Sequence, residues 1–250
     1  MPQVTFRFYA ELNDFLPLQR GRDVAYRFAR RASVKDAIEA LGVPHTEVDL
    51  ILVNGVSVDF GYRIQPGDRI SVYPTFESID ITPLVRLRPH PLREPRFVLD
   101  VHLGKLATYL RLLGFDCLYT NDAHDGDLAR ISSQESRILL TRDRGLLKRG
   151  VVSHGYFVRA IEPLAQTIEV ARRFDLFDRV QPFHRCVRCN GLVTPVPKAT
   201  VLDQLLPKTR LYFDEFHRCE TCGRVYWRGS HYERMQRIVD TVQAARPSDG

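Results

Sequence analysis

No apolar stretch in the sequence approaches the roughly 18 consecutive residues that a membrane span needs, and the opening MPQVTFRFYA has no long apolar run of the signal-peptide kind. A membrane protein and a secreted one are both excluded as expectations, which leaves a cytoplasmic setting. Cysteine is scarce as well: there are five, an odd number, and four of them fall in two C-x-x-C pairs. That argues against a disulfide scaffold and for a reducing compartment. Neither sign of charge dominates. Lys and Arg outnumber Asp and Glu by 36 to 30, a formal +6 that favours polyanionic partners without requiring them.

What is present is enough for two modest domains or one large one: 250 residues, 44% hydrophobic, an ordinary globular composition. Val4-Thr5-Phe6-Arg7-Phe8 alternates as a half-buried strand does, and Ser33 to Leu41 reads as a short capped helix. Strands over 50–53 and 56–58 flank Asn54-Gly55, the strongest short hairpin signal, and Pro66-Gly67-Asp68 turns the chain into a strand over 70–73. Strands around one helix predict a β-grasp fold. Prolines 74, 83, 89, 91 and 95 then interrupt every hydrophobic period, as in a linker.

Beyond residue 95 strand and helix alternate: a strand over 97–99, a helix over about 102–113, a strand over 117–119, a helix from Asp127, a strand over 138–140, a strand at 157–158 and a helix over 162–174. This predicts an α/β fold with a helix-covered parallel sheet. Leu103, Leu106, Leu110 and Leu113 form a core stripe on the first of these helices, and Cys117 is a small core residue in its strand.

Phe183-His184-Arg185-Cys186-Val187-Arg188-Cys189 is echoed by Phe216-His217-Arg218-Cys219-Glu220-Thr221-Cys222, with 29 residues between the inner cysteines. Two such knuckles present four thiolates, Cys186, Cys189, Cys219 and Cys222, to one tetrahedral Zn²⁺ in a closed structural site. Gly191 and Gly223 just beyond each pair are expected to permit the tight turns. His184 and His217 are flanking polar residues in this reading.

Ligands in open parallel sheets gather at the carboxyl ends of strands. Asp100 follows the 97–99 strand, Asp143 follows the 138–140 strand by way of Thr141-Arg142, and Asp127 opens a helix. Converging there, their carboxylates would hold Mg²⁺ or Mn²⁺. Each also has a plainer role open to it, Asp100, Asp125 and Asp143 as helix caps and Asp122 as a solvated loop residue. Lys105, Arg142 and Arg144 lie close in sequence to these acids and could hold substrate phosphates, or could simply be solvated.

LDVHLGKLATYLRLLGFD (Leu99 to Asp116), DGDL (Asp125 to Leu128) and LLTRDRGLL (Leu139 to Leu147) closely resemble the Mut-seven C-terminal ribonuclease family. RCVRCNG and CETCGRVYWRGSHYERM resemble the two halves of that family's terminal zinc ribbon, and the likeness covers roughly Arg96 to Met235. It implies a PIN-like nuclease that cleaves single-stranded RNA with a divalent metal, and Asp100, Asp127 and Asp143 match its acidic positions. PIN nucleases often have a fourth acid, for which Asp125, Asp122 and Asp116 are candidates. Trp227, the only tryptophan, is expected to pack the ribbon against the nuclease domain in preference to stacking on RNA bases.

FRFYAELNDFL, ILVNGVSVDF and PGDRISVYP resemble the ubiquitin-like modules fused to such nucleases, which are similar to sulfur carriers of molybdopterin and thiamine synthesis. Sulfur carriers end in an exposed diglycine, whereas this module runs on through Thr75-Phe76-Glu77-Ser78. A binding or scaffolding role with a protein partner follows, and sulfur transfer does not. The expected organisation is a β-grasp module over 1–80, a linker over 81–95, a PIN-like domain over 96–180, a zinc ribbon over 181–235 and a tail over 236–250. The rival to a ribonuclease is a noncatalytic RNA-binding adaptor working through the ribbon and a basic surface.

Overall fold

The computed structural model describes residues 1–28, 32–74, 87 and 94–247. The opening alternation forms β1 (Gln3–Phe8), which buries Val4, Phe6 and Phe8 on one face. β2 (Val24–Arg27) precedes α1 (Val34–Ala40), and β3 (Val48–Val53), β4 (Val56–Ser57) and β5 (Arg69–Pro74) complete a sheet of order β2-β1-β5-β3-β4. β1 and β5 are parallel and the other neighbours antiparallel, the mixed sheet of a β-grasp.

Ser33 starts α1 with a reciprocal capping box: its hydroxyl accepts from Asp36 N–H at 3.1 Å, and the Asp36 carboxylate accepts from Ser33 N–H at 3.3 Å. Val34, Ala37 and Ile38, at three- and four-residue steps, are the residues it buries in the core with Phe6, Ile51 and Ile70. Asn54 (φ 51°) and Gly55 (φ 86°) both take the left-handed region that a two-residue hairpin turn requires. The proline-rich linker expected over 81–95 lies, apart from residues 87, 94 and 95, outside the described residues.

Next come β6 (Phe97–Leu99), α2 (Gly104–Leu112), β7 (Cys117–Leu118), α3 (Asp125–Gln134), β8 (Ile138–Thr141), α4 (Arg144–Leu147), β9 (Gly155–Phe157) and α5 (Pro163–Arg173). β6 pairs with β7 and β8 with β9, both in parallel, and each pair is joined across a helix as parallel strands require. All four residues of β8 are buried, as a helix-covered parallel strand should be. The leucine stripe is core: Leu103, Leu106, Leu110 and Leu113 are essentially inaccessible, worth about 1.5–3 kcal/mol each relative to exposure. β10 (Val193–Val196), α6 (Pro207–Tyr212), β11 (Phe216–Cys219) and β12 (Val225–Tyr226) follow, their strands forming an antiparallel sheet in the order β10-β11-β12.

The expected tail past Met235 is instead helical as far as Ala244, within α7 (Ser230–Ala244). It buries Val239 and Val242, and beyond its end Arg246 makes two 2.7 Å bonds to the Asp178 carboxylate while Ala245 C=O accepts from Arg172. Among the described residues no helix is long and apolar enough to cross a membrane.

The chain divides into two compact units, Met1–Glu94 with Asp125–Phe157, and Pro95–His124 with Val158–Gly250. In the first, the β-grasp module is fastened to the segment from α3 to β9. Glu47 accepts from Phe157 N–H at 2.6 Å, Lys148 donates to Glu39 C=O at 2.6 Å, and the buried His45 ring bridges the Glu39 carboxylate (2.6 Å) and Val152 C=O (2.9 Å). The Arg144 guanidinium lies 5.0 Å from the Phe15 ring and 5.5 Å from that of Phe157.

Candidate metal centre and acidic positions

In the second unit the cysteine pairs close on each other. The ligand atoms of Cys186, Cys189, Cys219 and Cys222 all lie within 4.8 Å, with Cys186 Sγ 3.7 Å from Cys222 Sγ and Cys189 Sγ 3.4 Å from Cys219 Sγ. A tetrahedron with ~2.3 Å Zn–S bonds has edges of about 3.8 Å, so the donors fit a zinc ion in both chemistry and size. His184 and His217 are not members of the group.

The two knuckles are built alike. Cys186 N–H donates to Gly191 C=O (2.8 Å) and Cys219 N–H to Arg224 C=O (2.9 Å); Asn190 N–H returns to Cys186 C=O and Gly223 N–H to Cys219 C=O. The left-handed residues are therefore Asn190 (φ 72°) and Gly223 (φ 71°), each directly after the second cysteine. Gly191 was expected in that role and does not have it. Its smallness serves another end, since a Cβ there would lie 2.7 Å from Thr221 Cβ and 3.0 Å from Cys219 Sγ on the facing knuckle.

Burial pushes the Cys186 thiol up, but hydrogen bonds from the Tyr226 hydroxyl (2.9 Å) and from the Cys189 and Arg188 backbones outweigh it and bring the thiol down to about 6. Burial drives Cys189 the other way, to about 12. Burial and then the Cys186 partner raise Tyr226. Tyr226 is thus placed as an outer donor to one of the four sulfurs that could hold zinc. No spacing in the sequence marks this role, although Tyr226 lies in the VYW stretch directly behind the second knuckle.

Long-range bonds fix the first knuckle to α2 and β7. Arg111, buried, donates to Cys117 C=O (2.9 Å) and Arg188 C=O (3.0 Å), and burial lowers its pKa against the pull of the surrounding cysteines and Asp116. Asn190 accepts from Cys117 N–H at 3.0 Å and donates to Asp116 at 2.8 Å. Arg185 lies 3.8 Å from the same carboxylate. Asp116 therefore helps seat the knuckle.

Asp100 directly follows β6 and is 5% exposed; it stands at the N-cap of a single 3₁₀ turn, Val101–Leu103, but its side chain makes no cap bond. The Tyr119 hydroxyl donates to Val101 C=O (2.9 Å) and fixes that turn, and exposed Lys105 follows in α2. Asp127 and Asp143 belong to the other unit and are exposed. Asp127 sits in the first turn of α3, 3.5 Å from Arg130. Asp143 caps α4, accepting from Gly145 N–H at 2.6 Å while its own N–H donates to Thr141 Oγ1 at 2.9 Å. Asp125 is 3.7 Å from Arg149, and Arg142 is exposed. Among the described residues, the four cysteines are the only group of three or more His, Cys, Asp or Glu ligands that close together.

Trp227, expected in a core, is instead 36% exposed. Its ring is tilted against Phe216 at 6.5 Å, and Gly229 leaves it room, since a Cβ there would come within 2.9 Å of the indole nitrogen.

Among curated proteins none matches the chain significantly. Among solved structures, small archaeal modifier protein 1 of Haloferax volcanii is similar in two crystal structures, each at 20% identity and covering 30% of this chain; they are covered to 100% and 98%, with TM-scores of 0.26 and 0.25. The Mut7-C ubiquitin model matches residues 1–80 and the Mut7-C RNAse domain model residues 95–239. With the latter spanning more than half its length, the chain belongs to the Mut7-C RNAse domain family, carrying that family's ubiquitin-like module at its amino terminus.

Proposed function

We propose that the protein is a metal-dependent ribonuclease that hydrolyses phosphodiester bonds of single-stranded RNA, with Asp100, Asp127 and Asp143 as the carboxylates that hold Mg²⁺ or Mn²⁺. The observation that carries this reading is that the RNAse-domain match includes Asp100 directly after β6, Asp127 in the first turn of α3 and Asp143 at the N-cap of α4. Their donor set suits the metal: hard oxygens, few in number, as for an ion that keeps most of its waters. When bound, such an ion supplies a Lewis acid and lowers the pKa of a coordinated water.

The chain's own residues do the rest. The bond from Gly145 N–H orients the Asp143 carboxylate, and the turn after β6 that carries Asp100 is tied by the Tyr119 hydroxyl. Lys105 and Arg142 offer exposed cations to the substrate phosphates. Arg144, the third cation of this group, also reaches the Phe15 and Phe157 rings, so the ubiquitin-like module bears on the residue next to Asp143. In this reading residues 1–80 are a scaffolding module for a protein partner, 81–95 a linker, 96–180 the nuclease and 181–235 a structural zinc ribbon, and the protein acts in the cytoplasm.

The noncatalytic adaptor remains the second reading, favoured by the closure of the cysteine group alone among the described residues. Incubation of the zinc-loaded protein with single-stranded RNA, with and without Mg²⁺ or Mn²⁺, separates the two. Cleavage that needs the added ion supports the nuclease; RNA binding with no cleavage under either ion hands the function to the adaptor.

A further inference from the structure

Zinc accounts for the cysteines of the ribbon but not for the Phe-His-Arg that precedes each pair, nor for the only tryptophan. The whole first copy, Phe183-His184-Arg185, meets His217 of the second and Trp227 in one groove of about 500 Å³ within the second unit, a volume typical of small-ligand clefts. His184 and His217, one from each copy of the repeat, line it. Trp227, Phe183 and Tyr232 supply aromatic walls. Arg185 and Arg228 are its charged residues, and among the described residues no Asp or Glu lines it.

The two arginines are placed differently. Arg185 is committed to Gly114 C=O, Asn190 C=O and Asp116. Arg228 is exposed, with its guanidinium 5.6 Å from the Tyr232 ring and only a solvated contact to Glu215 at 3.9 Å. Phe183 holds a left-handed backbone (φ 62°), a strained conformation for so large a residue and one that clusters at ligand sites. Its N–H donates to Leu112 C=O at 2.9 Å, and its ring stacks on Tyr232 at 4.5 Å and 23°.

We propose that this groove is a second RNA contact, seating unpaired bases of single-stranded RNA on Trp227 and the Phe183–Tyr232 stack with Arg228 against the backbone phosphates. Aromatic faces beside an exposed guanidinium, with no carboxylate in the wall, are the complement of a stacked polyanion. An apolar peptide would use the rings but offer no anionic partner to the exposed Arg228 guanidinium. The proposal deepens the reading of the chain as an RNA enzyme and rests on it. The ribbon then holds the substrate while cleavage occurs elsewhere.

The single tryptophan makes the test specific. Full-length, zinc-loaded protein is titrated with oligouridylate, no Mg²⁺ or Mn²⁺ added, while Trp227 emission and the anisotropy of a labelled copy of the oligonucleotide are followed. Quenching is expected, and Trp227→Leu and Arg228→Ala should each weaken binding roughly five- to hundred-fold while zinc content and melting stay parental. In cleavage assays with Mn²⁺ these variants should raise KM and leave kcat unchanged. Parental affinity in both folded variants overturns the groove, whether or not the protein cleaves. Groove-dependent binding by a parent that never cleaves keeps the groove and sinks the nuclease. Quenching by an apolar peptide and none by oligouridylate assigns the surface to a protein and overturns the proposal.

Discussion

Replacing Asn190 tests how the ribbon is joined to the α/β layer. Its side chain accepts from the buried Cys117 N–H and donates to Asp116, while its backbone takes the left-handed turn that Gly223 takes in the other knuckle. Asn190→Gly keeps the turn and removes both bonds. Two net hydrogen bonds at about 1 kcal/mol each, together with desolvation of the orphaned N–H, give a cost of about 2–4 kcal/mol. Asn190→Ala adds about 1–2 kcal/mol for a Cβ in the left-handed region. At roughly 2–4 °C per kcal/mol, thermal melting should fall on the order of 10 °C for the glycine variant and further for alanine. Zinc measured at a temperature where the variants are folded should remain at one ion per chain. If Asn190→Gly melts with the parent and only Asn190→Ala is weakened, the turn alone matters and the anchoring bonds contribute nothing.

Purified protein should carry one zinc with four-sulfur coordination by X-ray absorption, and Cys219→Ser should lose it and locally unfold the ribbon; folded, metal-free parent would refute the site. Gly191→Ala should weaken zinc retention against a chelator, since its methyl meets Thr221 and Cys219 Sγ; unchanged retention would show that the knuckles can move apart freely. His45→Ala should destabilise the first unit by about 1–3 kcal/mol through the loss of its links to Glu39 and Val152, read as faster amide exchange around Val152; parental exchange would show that the module is fastened elsewhere. Asp143→Asn should abolish cleavage yet melt within about 1 kcal/mol of the parent, because asparagine still caps α4; parental cleavage rates would remove Asp143 from the site.

Local chemistry was legible in the sequence. The Ser33 cap, the Asn54-Gly55 turn, the leucine stripe of α2 and the cysteine pairs each depend on residues within a few positions of one another, and each appears where expected. What was not legible depends on distance or on weak signals. Arg111 meets the Arg188 carbonyl 77 residues away and Asn190 meets Cys117 73 residues away, partnerships that no spacing announces. α7 buries only Val239 and Val242 in fifteen residues, too sparse an apolar face to stand out from a polar tail. The left-handed position of the first knuckle was assigned to the glycine when the asparagine one residue earlier takes it, because asparagine tolerates that region and its side chain was needed for the anchor. Trp227, expected to pack the ribbon against the nuclease domain, is 36% exposed, and the groove beside it depends on Phe183 and Tyr232, 49 residues apart in sequence, meeting in space.

Asp100, Asp127 and Asp143 are proposed to hold one divalent ion. Crystals of the zinc-loaded protein soaked in Mn²⁺ and measured at the manganese edge test it most directly. An anomalous peak is expected about 2.0–2.3 Å from carboxylate oxygens of these three residues, lost in Asp143→Asn. Manganese bound elsewhere, or no peak in a parent that still cleaves RNA, would contradict it.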